Sequence, residues 1–317
     1  MMGVLSATVT GRVAAALIDG LWGTLVGTLA ELTGIGVLGL PFMQRAYLAA
    51  ICVAVIGPLV GSFLVHREMA MIGDTLAHSA FAGVAAGLFV NTVFAFTIPP
   101  LVAALVVAAV AAVAVQTLID YAGTYRDASL AIVLTGSFAI GSVLITATDG
   151  GIAVGINAYL FGSLATVSRA NATLLAALTL VVVTVVAVAY RPLLYTTFDE
   201  VGARAAGLNV ARYNRLLAVL TAVVVVGAMQ IMGVILVAGM LVIPVAAATP
   251  VTGFKRSLLA AVAVGQLATV GGVTLSYAYD VAAGGTIILV AITAYLAVTV
   301  GGRLRYRGVT GDTATEK

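Results

Sequence analysis

Lysine is almost missing from this chain. Lys255 and Lys317 are the only two, and neither belongs to a Gly-x-x-x-x-Gly-Lys-Ser/Thr phosphate loop. Any ATP-driven step therefore needs a nucleotide-binding subunit elsewhere. Charge as a whole is scarce: Asp, Glu, Lys and Arg make up 9% of the residues, where a soluble domain carries roughly 25%. One cysteine, Cys52, excludes an internal disulfide. With no Cys-x-x-Cys and no His-rich loop, high-affinity capture of a soft metal from solution is also excluded. The amino end lacks a basic segment leading into a short apolar core and a small-residue cleavage site, so no cleavable leader is expected. The net charge of +3 comes from loop arginines and gives no ground for a nucleic-acid partner.

What the chain has instead is apolar length: 62% hydrophobic residues and a mean hydropathy of +1.18. Such a composition predicts an all-α, polytopic transmembrane bundle in contact with lipid. Spans of roughly 20 apolar residues are expected at 43–65, 72–91, 98–119, 128–147, 170–190, 213–230, 232–249, 257–278 and 284–301. That makes nine membrane helices, and a tenth amphipathic or spanning helix is expected somewhere in 12–38, where Asp19 and Glu31 lie. The expected division is an N-terminal extension over 1–40, a membrane domain over 41–303 and a polar cytoplasmic tail over 304–317, disordered from Gly308 to Lys317. Small-residue pairs at Gly23/Gly27, Gly57/Gly61 and Gly83/Gly87 suit close helix approach. Pro244 should kink the second helix of the hairpin that breaks near Gln230 to Gly233.

Lys and Arg set the orientation. With loop 191–212 and the C-terminus in the cytoplasm, Arg67, Arg126, Arg191, Arg204, Arg212, Arg215, Lys255, Arg256, Arg303, Arg305, Arg307 and Lys317 all face inward. Only Arg45 and Arg169 are left clearly outside, and Arg12 depends on the first helix.

Asp74 and His78 are the chemically pointed residues. Ionisable groups inside an apolar span cost roughly 2.5–3.5 kcal/mol on insertion-based scales and usually mark a function. Spacing i, i+4 puts both on one helix face, at a separation that suits a divalent ion. A second reading stays open: Asp74 caps the helix start and His78 is its hydrogen-bond partner. The loop after the fifth span, with Asp199, Glu200, Ala205 and Gly207, reads as a short helix capped at its start by Asp199 or a neighbouring Thr and ended by Gly207. It is either a docking element or an ordinary connector. Asp280 is expected in a turn at the outer mouth, and Met229, Met232 and Met240 are expected to pack rather than ligate.

Several stretches together resemble the membrane subunits of ABC importers for zinc, manganese and iron. They are Gly61 to Met69 running into Gly73-Asp74-Thr75-Leu76-Ala77-His78; Ala158-Tyr159-Leu160-Phe161-Gly162-Ser163; Asp199-Glu200 through Gly207; Met232 to Ala248; and Tyr279-Asp280 with Gly284-Gly285. The resemblance covers roughly residues 41–302, with Arg67-Glu68 standing where family members often have Arg-Arg. It implies a permease in the cytoplasmic membrane, paired with a second copy of itself, two ABC ATPase subunits and an extracellular metal-binding protein. It also implies that Asp74 and His78 contact the transported Zn, Mn or Fe ion, with no permanently bound cofactor. Residues Asp199 to Gly207 would be the coupling helix on the ATPase. Two other transporters compete: a permease for a chelate such as a siderophore or cobalamin, and an ion-coupled secondary transporter. An intramembrane enzyme built on Ser137 or Ser142 with His78 lacks any supporting motif.

Overall fold

The computed structural model describes residues 20, 22–33, 36–94, 97–122, 126–147, 158–164 and 167–312. Asp19 and Arg12 lie outside the described residues, as do 313–317 of the tail. The described chain forms α1 (Gly23–Thr33), α2 (Pro41–His66), α3 (Met71–Phe94), α4 (Pro100–Ala122), α5 (Arg126–Thr146), α6 (Arg169–Phe198), α7 (Glu200–Ala205), α8 (Val210–Met232), α9 (Val234–Ala247), α10 (Phe254–Tyr279) and α11 (Ala283–Asp312). Among the described residues there is no strand.

Eight of these helices are long and apolar enough to cross a membrane. The span expected at 232–249 is shorter than its sequence suggested: α9 has 14 residues, about 21 Å. Hydropathy runs on unbroken through Met232 and Gly233, but Gly233 adopts φ +77° and ψ 154° and ends the helical path there. The helix expected in 12–38 lies partly outside the described residues; its described part is α1, 11 residues or about 16 Å long. Trp22 ties it to α2 by donating its indole N–H to the Gln44 carbonyl, 2.8 Å away. α11 runs on to Asp312, so helix enters the segment expected as a disordered tail.

Helix α2 is the central post, with 72% of its span buried, whereas only 17% of α5 is. α2 packs against α6, α8, α9 and α10, and α3 packs against α4, α5, α8 and α9. Small residues set these distances. A Cβ on Gly61 would run into the Leu241 carbonyl of α9, and one on Gly83 would meet the Ala104 backbone of α4. Gly57 and Gly87 face the same two neighbours, so two of the three small-residue pairs sit at helix crossings. Gly27 faces open space. Met229, Met232 and Met240 are all buried in the core. α9 continues through Pro244 to Ala247.

The C-terminal ends of α2, α4, α6 and α9 gather at one end of the bundle, which carries Arg67, Arg204, Arg212, Lys255 and Arg256. His66 is packed there. Its Nδ1 lies 2.7 Å from the Ser62 carbonyl, and its ring stands edge-on to Phe198 and Phe254. At the opposite end, residues 158–164 dock over the α8–α9 break. There Gly162 (φ +75°) lies against the backbone of Ile231 and Met232, with Gly284 of α11 beside them.

Candidate metal path and coupling element

Asp74 is the fourth residue of α3 and His78 the eighth, so they sit about 4.5 and 10 Å along the axis from its start. Both lie near the basic end of the bundle. Asp74 is past the N-cap position, which removes the capping role that sequence left open. Its carboxylate still lies in the first turn, where the helix dipole favours negative charge.

The imidazole is held by the helix itself. Nδ1 of His78 is 3.0 Å from the Asp74 carbonyl oxygen, which can only accept, so Nδ1 donates there and Nε2 is the nitrogen left for a ligand. The Asp74 carboxylate is 3.6 Å from Nδ1, too far for a hydrogen bond. The two side chains are therefore not locked to each other. Nδ1, the nitrogen facing the carboxylate, is the one that cannot ligate without losing its proton and its helix bond. Nε2 and the carboxylate are free to act as separate contacts for a passing cation.

Neither side chain is sealed off: that of Asp74 is 42% exposed and that of His78 22%. The wall beside them comes from α5. Phe138 stands edge-on to His78 at 5.5 Å and stacks on Phe81. The Ser137 hydroxyl pairs with Ser79 at 2.9 Å. Among the described residues, no group of three or more His, Cys, Asp or Glu side chains gathers to hold a metal. A two-ligand contact holds an ion weakly, as conduction requires.

The short helix α7 forms as its caps dictate. Asp199 accepts the Gly202 N–H at 2.7 Å. At the other end Gly207 takes φ +81° and donates to the Arg204 carbonyl, while Leu208 donates to Ala203, the Schellman pattern. Glu200 and Arg204 pair along one face, and Ala205 ends the helix. Val201 of α7 is 80% exposed and Phe198, the last residue of α6, 59%, so this corner presents apolar knobs at the basic end.

Asp280 caps α10 at the opposite end in left-handed geometry (φ 51°, ψ 46°). It borders a cleft of about 540 Å³ that also includes Phe42, Ser163 and Tyr277. Sequence reasoning missed Arg67, which it counted only as a loop cation. Its guanidinium reaches α6 and α8, and contacts spanning 126 to 147 positions of sequence leave no local signal.

Similarity to known proteins follows the same boundaries as the bundle. The chain is 33% identical over 261 residues to the manganese transport system membrane protein MntC of Halalkalibacterium halodurans, covering 81% of this chain and 86% of that one. It is 29% identical to the high-affinity zinc uptake system membrane protein ZnuB of Haemophilus influenzae, over 77% of this chain and 91% of that one. The solved structure described as PsaBC from Streptococcus pneumoniae in complex with Fab superposes with a TM-score of 0.74 at 29% identity, covering 85% of this chain and 95% of that one. The ABC 3 transport family matches residues 39–301, nearly the whole helical bundle, and the chain belongs to that family.

Proposed function

We propose that this chain is the membrane permease of an ATP-driven importer that carries a divalent transition metal, manganese or zinc, across the cytoplasmic membrane. The observation that carries the proposal is the Asp74–His78 pair: two unlocked, part-exposed ligands on one turn of an otherwise apolar helix. The family supplies the transporter class, and the relatives' names supply the metals. A carboxylate and an imidazole serve either ion, so selectivity is left to the protein that delivers it. The chelate and ion-coupled alternatives have no comparable support.

In this scheme two copies of the chain face each other, and symmetry doubles the pair to four ligands. ATP hydrolysis belongs to a separate nucleotide-binding subunit, which docks on Val201 of α7 and on Phe198 at the end of α6. The basic end faces the cytoplasm, with the C-terminus, because Arg and Lys concentrate there. The Asp280 end then meets an external metal-binding protein, and its acidic charge raises the local cation concentration.

The test is metal uptake by complexes assembled with Asp74→Asn or His78→Ala. Uptake should be abolished or sharply reduced in each, while the complex is recovered at wild-type yield. Wild-type uptake by either variant removes that residue from the path. Loss of assembly instead of transport assigns the pair a structural role.

A further inference from the structure

Arg67 lies between the coupling element and the metal-contacting helix, and it touches both flanks of the former. Its Nε donates to Thr197 Oγ1 at 2.8 Å, and Nη2 donates to Thr196 Oγ1 at 2.5 Å and to the Leu193 carbonyl at 3.2 Å. Nη1 donates to Asn214 Oδ1 at 2.5 Å. Thr196 and Thr197 precede the Asp199 cap of α7 by a few residues, and Asn214 sits in the first turns of α8, just beyond it. One planar guanidinium thus clamps the chain entering the coupling helix to the chain leaving it.

The acceptors are arranged for this. The Thr196 hydroxyl donates to the Pro192 carbonyl at 2.9 Å and the Thr197 hydroxyl to the Leu193 carbonyl at 2.6 Å. Each hydroxyl hydrogen is therefore committed to its own helix, and the oxygen lone pairs point outward to accept from Arg67. Only a forked, multi-donor group reaches acceptors on two helices at once. A lysine ammonium presents its three donors at a single point.

The connection from Arg67 to the metal pair is short and stiff. Arg67 is the C-cap of α2, Glu68 follows in left-handed geometry (φ 57°), and Met69 donates back to Leu64 at 2.9 Å while buried in the core. Ile72 and Gly73 then donate to Met69 and Ala70, which starts α3 without an intervening loop. Asp74 comes seven positions after Arg67.

From this juxtaposition we infer that Arg67 is the positioning residue that transmits movement of α7 to the start of α3, and so couples ATP hydrolysis to exposure of the Asp74–His78 pair. The inference rests on the coupling role proposed for α7. Displacement of α7 carries Thr196, Thr197 and Asn214 with it. The guanidinium passes that displacement to the rigid turn 67–70, and the turn rotates or tilts the first turns of α3. Without the clamp, α7 still binds the nucleotide-binding subunit, but its motion no longer reaches the metal contacts.

The experiment uses the full importer (this chain, its nucleotide-binding subunit and its metal-binding protein) in proteoliposomes, with manganese or zinc as the probe. Metal transported per ATP hydrolysed is measured for wild type, Arg67→Ala, Arg67→Lys, Asn214→Ala and Thr197→Val. Arg67→Ala should co-purify with the nucleotide-binding subunit and hydrolyse ATP, yet carry at least about tenfold less metal per ATP, the loss expected when a coupling of about 1.4 kcal/mol is removed. Arg67→Lys should recover only part of the ratio, and the two acceptor variants should fall between. A ratio unchanged in Arg67→Ala and Asn214→Ala, with transport falling only as assembled complex falls, would make Arg67 a stability residue and overturn the inference. If Arg67→Ala does not fold, the acceptor variants carry the decision on the same ratio. A nucleotide-binding subunit that never binds wild type, or binds Gly207→Asp undiminished, would overturn the α7 reading underneath.

Discussion

Replacing Gly233 with alanine should be among the most damaging single-methyl changes in this protein. At φ +77° and ψ 154° the residue occupies a region that is essentially reserved for glycine, and an L side chain there costs about 1–3 kcal/mol. The added Cβ would also lie 2.5 Å from the Phe161 carbonyl carbon and 2.6 Å from the Gly162 nitrogen. Those are backbone atoms, so the segment over 158–164 must move as a unit, adding about 1–3 kcal/mol of overpacking. Together about 2–6 kcal/mol is lost, a factor of roughly 30 to more than 10 000 in the folded population. The assay is thermal unfolding of the purified chain in detergent, with Gly136→Ala as the control. Gly136 sits in a helix with nothing near its Cβ position, and its variant should melt with wild type. A Gly233→Ala protein that unfolds together with Gly136→Ala would refute both the left-handed backbone at the α8–α9 break and the docking of 158–164 over it.

Three further outcomes follow from the same geometry. Glu68→Gly should raise stability by about 0.5–1 kcal/mol, because it relieves a non-glycine residue at φ 57°; thermal unfolding with no gain would contradict that turn. Val201→Asp should weaken recovery of the nucleotide-binding subunit in a pull-down while leaving the chain folded, since Val201 is exposed and its replacement meets only solvent in the isolated chain. Asp280→Asn should slow metal uptake most at low ionic strength, as expected for an exposed charge acting through its field; an equal loss at every salt concentration would point to its role in ending α10.

The bundle was legible because lipid makes hydropathy a near-direct readout of helix position: all nine expected spans correspond to α2–α6 and α8–α11. Local chemistry was legible for the same reason of proximity. Asp199 and Gly207 sit where cap geometry needs them, each three positions from the group it bonds, Gly202 and Arg204. What escaped was everything set by distant contact or by backbone angle. No hydropathy profile distinguishes Gly233, whose φ shortens α9, from Gly57 or Gly83, which remain helical. The position of Asp74 beyond the N-cap depended on α3 starting at Met71, and that start is fixed by the turn hydrogen bonds of residues 67–73. Arg67 looked like one more positive-inside residue until Thr196, Thr197 and Asn214 came to it from two other helices.

Helix α9, at 14 residues, leaves about 9 Å of a roughly 30 Å hydrocarbon layer without helix on its line. Open backbone at that depth is tolerated only under a protein cover, because each N–H or C=O bared to lipid costs several kcal/mol. Residues 158–164 are that cover, seated on Ile231, Met232 and Gly233 with Gly284 alongside. Two stretches about 70 positions apart therefore form one seal. An insertion in either would admit lipid to bare amides, so length change in the 158–164 loop and in the 231–234 break should be acceptable only in matched pairs. The surface loop, ordinarily the most permissive part of a membrane protein, is here as constrained in length as a core helix.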